Sequence, residues 1–109
     1  MQKGDIVYVH FPFTDLLGNK LRPVVVLFVS ENDLTVCFMT SQIRWKTEND
    51  IVIQPSQLNG LNKSSLIRVP KIATVDSLLV SGRLGRLSND EIYQLNQKII
   101  EVFQLEDTI

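Results

Sequence analysis

The chain has 109 residues and a formal net charge of −1, a size that fits one domain over residues 1–109. Hydrophobic residues make up 44%, which excludes a disordered chain, and the near-neutral charge argues against a protein that coats nucleic acid non-specifically through phosphate neutralisation. A single cysteine excludes an intrachain disulfide and argues against a cysteine-built metal site, and no apolar run is long enough to span a membrane.

The N-terminal MQKGDIVYV turns at once into a strand pattern rather than a signal peptide, so a cytoplasmic location is expected. GDIVYVHF, residues 4–11, alternates: Ile6, Tyr8 and His10 share one face, and Val7, Val9 and Phe11 share the other. Residues 12–21, PFTDLLGNKL, carry the Pro, Asp, Gly and Asn of an exposed loop. RPVVVLFVS is continuously apolar and predicts a strand covered on both faces. END reads as a tight turn, and LTVCFMTS as the returning strand of a hairpin, with Cys37 a buried, inert thiol.

QIRWKTEND, residues 42–50, predicts a loop, IVI a short strand, and QPSQLNGLNKSS a turn-rich connection. LIRV and KIATV predict two short strands hinged at Pro70, whose missing N–H suits a break or an edge. In SGRLGRLS, Gly82 and Gly85 weaken any regular element. Ser88 with Glu91 three residues on forms a capping box. Ile92, Leu95, Ile99, Val102 and Phe103 then recur on one stripe of an amphipathic helix. Many short strands followed by one helix predict a mainly β fold, a small coiled antiparallel barrel or sheet.

Walker loops, G-x-G-x-x-G and H-E-x-x-H are absent from the chain, and one histidine excludes a His-rich metal centre. No cofactor is expected. Arg22 is the feature with chemistry. It precedes a proline, which favours extended backbone, so its guanidinium projects from a stiffened strand start beside a polar loop. A planar fork of donors suits a phosphate; an ion pair with Asp5, Asp15 or Asp76 that pins the loop is the structural alternative. Thr40 and Ser41 end another strand, where paired hydroxyls bind a phosphate or cap the next turn. Arg44, Trp45 and Lys46 combine stacking with charge, as single-stranded nucleic acid binding requires; a lid over the core is the other role open to Trp45.

Taken together, GDIVYVHFPFTD, LRPVVVL, TS and KIATVDSLLVSGRLGRLS resemble the MazF/PemK family of toxin ribonucleases over nearly the whole chain. The resemblance implies the SH3-like barrel of MazF-, PemK- and CcdB-like toxins with a C-terminal helix, a homodimer, and the toxin role in a type II toxin–antitoxin pair. It also implies metal-independent, sequence-specific cleavage of single-stranded RNA. The family's loop-edge arginine corresponds to Arg22 and its strand-end hydroxyl pair to Thr40 and Ser41. Phe13, Asp15, Asn19, Lys20, Arg44, Trp45, Lys46 and Arg68 are the expected RNA-binding residues. The cognate antitoxin is expected to lay an acidic segment over Arg22.

Two departures bear on the chemistry. Some relatives carry Arg-x-Asp in the strand matching IRVP; here Arg68 is kept and Pro70 takes the acidic position. Others have a histidine in the first loop, which residues 12–21 lack. The general base is therefore unassigned: Asp15 is a candidate that also suits a turn, His10 has a suitable intrinsic pKa but also suits a hydrogen-bonded structural role, and Asp76 suits a cap on the turn that follows it. Loss of the acid favours an alternative, a barrel that binds a protein target such as gyrase, or nucleic acid, without cutting. The tail QLEDTI, with no aromatic after Phe103, counts against the gyrase-directed version.

Overall fold

The computed structural model describes residues 1–11 and 20–105. Its strands are β1 (Asp5–Phe11), β2 (Lys20–Val29), β3 (Asp33–Thr40), β4 (Asp50–Ile53), β5 (Ser65–Asp76) and β6 (Val80–Arg86). Helix α1 covers Asn89–Phe103, and 3-10 turns cover Ile43–Trp45 and Ser77–Leu79. The strands form one antiparallel sheet in the order β4-β5-β3-β2-β1-β6. The mainly β fold with a C-terminal helix is as expected; the sheet coils without closing, and β4 and β6 are its two edges.

Strand alternation sets the core. Ile6 joins Val25, Cys37, Ile67 and Leu95 on the face that α1 covers. Val7, Val9 and Phe11 join Val24, Val26 and Val36 on the opposite face. Consecutive Val24, Val25 and Val26 are all fully buried, so the centre of this run is covered on both sides as its composition predicts, but Phe28 and Val29 at its far end are exposed, against the expectation for the whole strand. Helix α1 starts at the expected capping box: Ser88 Oγ accepts from the Glu91 N–H at 3.2 Å, and Glu91 Oε1 accepts from the Ser88 N–H at 2.8 Å. Leu95, Ile92, Ile99 and Val102 pack inward. Phe103 departs from the stripe and stays exposed, because it lies in the last turn before a left-handed Gln104 at φ 54°.

Two segments differ from the sequence expectation. SGRLGR is regular: β6 forms because Gly85 leaves room for the backbone of Leu58 and Asn59, and the Arg86 N–H donates to the Leu58 carbonyl at 3.0 Å. Residues 65–76 form one strand rather than two. Met39 pairs with Ile67 and Cys37 with Ile72, so Phe38 alone faces residues 68–71. Pro70 lies inside this bulge, where a missing ladder donor costs little. The Cys37 thiol donates to the Arg68 carbonyl at 3.2 Å, with the Val69 carbonyl at 3.7 Å, and so serves acceptors that the bulge takes out of the ladder.

Burial first, and then the nearby Asp50 charge, push the Cys37 thiol from its ordinary 9.0 up to about 12. Native protein at pH 8 is therefore expected to react with an aromatic disulfide reagent at least about a hundredfold more slowly than urea-unfolded protein. The folded state holds this proton more tightly than the unfolded state. Its stabilising contribution is complete below pH 9 and is lost as pH rises towards 12. Urea midpoints should fall more steeply over that window in the native chain than in Cys37→Ala.

Candidate functional site

Arg22 enters β2 directly before Pro23 and pairs in register with Val9. Opposed residues share a face, so its side chain lies on the side of Val9, Phe11 and Val24. It is half-buried, and among the described residues it has no ion-pair partner. Two carboxylates that might have held it are engaged elsewhere. Asp5 accepts from the Gln2 N–H at 3.0 Å and from Arg83 Nη2 at 3.4 Å. Asp76 caps the following 3-10 turn, accepting from the Leu78 N–H at 2.8 Å, as its position predicts. Asp15, with Phe13 and Asn19, lies outside the described residues.

The end of β3 delivers Thr40 and Ser41 to the same place. Thr40 Oγ1 accepts from the Gln42 N–H at 3.1 Å, so the capping role is real, while the hydroxyl keeps its own proton to donate. The 3-10 turn that follows presents Trp45, which is 56% exposed and so no lid over the core. The Arg44 guanidinium lies 5.4 Å from the indole centroid, within cation–π range.

The β5 bulge contributes from the other side. Arg68 pairs in register with Asp50 of β4, and its Nε donates to Asp50 Oδ1 at 3.0 Å. Asp50 is buried, and its Oδ2 accepts from the Thr47 N–H at 2.8 Å and from Thr47 Oγ1 at 3.2 Å. Arg68, with proline in place of an acidic neighbour, thus finds its carboxylate on the adjacent strand. Bulges re-aim side chains, and Arg68 and Lys71 of this one line a hollow that Arg22 also lines.

Two adjoining hollows result. The first, of about 390 Å3, is lined by Phe11, Arg22, Phe38, Met39, Thr40, Trp45, Arg68 and Lys71. The second, of about 430 Å3, is lined by Lys20, Leu21, Arg22, Pro23, Met39, Thr40, Ser41, Gln42, Trp45 and Ser65. Arg22, Met39, Thr40 and Trp45 belong to both. Four cations and no carboxylate stand among the described lining residues. A molecule of net charge −1 therefore carries a local positive basin, which attracts anions. No cluster of His, Cys, Asp or Glu among the described residues is arranged to hold a metal.

Of the residues anticipated from the sequence, Arg22, Thr40, Ser41, Lys20, Trp45 and Arg68 meet here. Arg44 and Lys46 line neither hollow: one stacks on the indole, and the other donates from Nζ to the Thr47 carbonyl at 3.4 Å. His10 pairs in register with Leu21, on the face away from Arg22. Its buried Nδ1 has no hydrogen-bond partner among the described residues. Sequence reasoning missed Lys71 and Asp50. The available signal was Pro70 inside an apolar strand, which marks a bulge and hence redirected neighbours.

A profile of the family described as PemK-like, MazF-like toxin of type II toxin–antitoxin system matches residues 2–103. Comparison with curated proteins gives no match. Among solved structures, the Mycobacterium tuberculosis toxin MazF-mt6 superposes with a TM-score of 0.76 at 20% identity, covering 94% of this chain and 99% of that one. An endoribonuclease in complex with its cognate antitoxin, from a mycobacterial species, gives 0.77 at 15% identity, with 98% of each chain covered. A MazE–MazF complex from Deinococcus radiodurans gives 0.72 at 17% identity, with 94% of each covered. At these identities the structural matches establish the fold.

Proposed function

Because the chain belongs to the PemK-like, MazF-like toxins of type II toxin–antitoxin systems, we propose that it is a sequence-specific, metal-independent endoribonuclease acting at the paired hollows. The observation that supports this most is Arg22: a guanidinium without an ion-pair partner among the described residues, on a proline-stiffened strand, shares a cavity rim with Thr40 and Ser41. In metal-free cleavage the ribose 2′-hydroxyl attacks the adjacent phosphorus, and the bond to the 5′-oxygen of the next nucleotide breaks. Negative charge grows on the non-bridging oxygens, where a preorganised fork of donors is worth most. Thr40 and Ser41 hold the phosphate by hydrogen bonds, and Lys20, Arg68 and Lys71 supply the surrounding field. Only RNA carries the attacking hydroxyl, so DNA of the same sequence binds without being cut.

The same basin suits an antitoxin. Two of the similar structures are described as complexes, one with a cognate antitoxin and one of MazE with MazF. For this chain the reading is an acidic antitoxin segment laid across Arg22, with a homodimer acting in the cytoplasm. Among the described residues no helix is long and apolar enough to cross a membrane.

Incubating the purified protein in EDTA with a long single-stranded RNA and its DNA counterpart tests the proposal. Discrete RNA fragments with intact DNA are expected. Intact RNA over a broad range of sequences transfers the protein to the class of barrels that bind without cutting.

A further inference from the structure

The first hollow differs from the second in what walls it. Phe11 and Phe38 meet edge to face, with ring centroids 5.1 Å apart and planes at 78°. Met39 and Trp45 complete an apolar surround, while Arg22, Thr40, Arg68 and Lys71 stand around it. Trp45 lines both hollows and Arg44 neither, so the cation that stacks on the indole lies outside them. An apolar-walled opening of about 390 Å3, with half-buried Phe38 and exposed Trp45 as its accessible rings, suits a planar heterocycle, and stacking on an aromatic ring is favourable for every base. A phosphate seated at Arg22 would place its own nucleoside at this opening.

The polar atoms discriminate. Arg22, Arg68 and Lys71 only donate. Thr40 Oγ1 accepts from the Gln42 N–H with one of its two lone pairs, and its O–H is left to donate. Asp50 stands behind Arg68, but Arg68 and Thr47 engage both its oxygens and it is buried. The described side chains around this hollow therefore present mainly donors, three of them cationic, against one remaining lone pair on Thr40. Guanine offers O6 and N7, and uracil offers O4, on the edge where adenine and cytosine carry an amino donor. An amino group facing ammonium and guanidinium groups loses its hydrogen bonds to water and gains none.

Resting on the ribonuclease reading above, we infer that the hollow walled by Phe11, Phe38, Met39 and Trp45 is a nucleobase pocket selecting keto bases, guanine or uracil, over the amino bases adenine and cytosine. Trp45 is its stacking platform, and Lys71 with Arg68 reads the keto oxygen.

The only tryptophan of the chain lies in the pocket, so its indole N–H resonance reports occupancy without any cleavage. Titrating the nitrogen-15-labelled protein with UMP against CMP, and with IMP against AMP, compares pairs in which a keto oxygen and its neighbouring ring N–H are exchanged for an amino group and a bare ring nitrogen. UMP and IMP are expected to bind about tenfold tighter than their partners, and Lys71→Met should erase most of that difference. Equal affinities within each pair, an amino preference, or no shift of the indole resonance with any nucleotide overturns the inference. Cut RNA with unselective mononucleotide binding rejects the pocket alone; selective binding with uncut RNA rejects the nuclease reading alone.

Discussion

Arg22→Ala is expected to slow RNA cleavage by about two to three orders of magnitude while leaving the fold intact. The two halves of that expectation have separate grounds. Arg22 makes no ion pair among the described residues, so truncation strands no buried charge. It sits at the rim of two hollows, beside Thr40, where phosphoryl charge would develop. Arg22→Lys should recover only part of the loss, because an ammonium replaces a planar fork with a point charge. Initial rates in EDTA, measured beside thermal unfolding, check both halves. A variant with unchanged rate would remove Arg22 from the chemistry, and one that unfolds would make it structural.

The second large effect is on stability. Arg68→Met leaves the Asp50 carboxylate, 1% exposed, with Thr47 as its remaining donor residue. Breaking such a pair costs about 3–5 kcal/mol, and the low end applies because the Arg68 side chain is 24% exposed and admits water. Asp50→Asn should cost less. It removes the buried charge, keeps an acceptor for the Thr47 N–H, and leaves a guanidinium that can turn to solvent. Combining the two should recover part of the Arg68→Met loss, since neither charge is then left alone. Urea midpoints of the three variants check this ordering; equal losses for the two single substitutions would contradict it. The pair also ties β4 to the β5 bulge, so its loss should loosen the seat of Lys71.

The alternation of β1, the capping box at Ser88 and the buried Val24–Val26 run are statements about neighbours in sequence, and these hold in the structure. Arg22 was legible for the same reason: its proline neighbour and the strand behind it are local. What local patterns lacked was register. Nothing in IRVPK says that Phe38 spans four residues of β5, that Asp50 lies across from Arg68, or that Lys71 turns into a cavity. Gly85 is the same case, since the backbone it accommodates belongs to Leu58 and Asn59, far off in sequence. Trp45 could be read as a lid or as a stacking residue, and its exposure removed the lid.

The account stands on a ribose hydroxyl attacking a phosphate held by protein donors alone. End-group analysis of RNA cut in EDTA tests that most directly, using one oligonucleotide with ribose at the cut position and a second with a single 2′-deoxy substitution there. The predicted result is a 2′,3′-cyclic phosphate or its opened monophosphate on one fragment, a 5′-hydroxyl on the other, and no cut in the substituted strand. A 5′-phosphate product, or cleavage that survives the deoxy substitution, would contradict it.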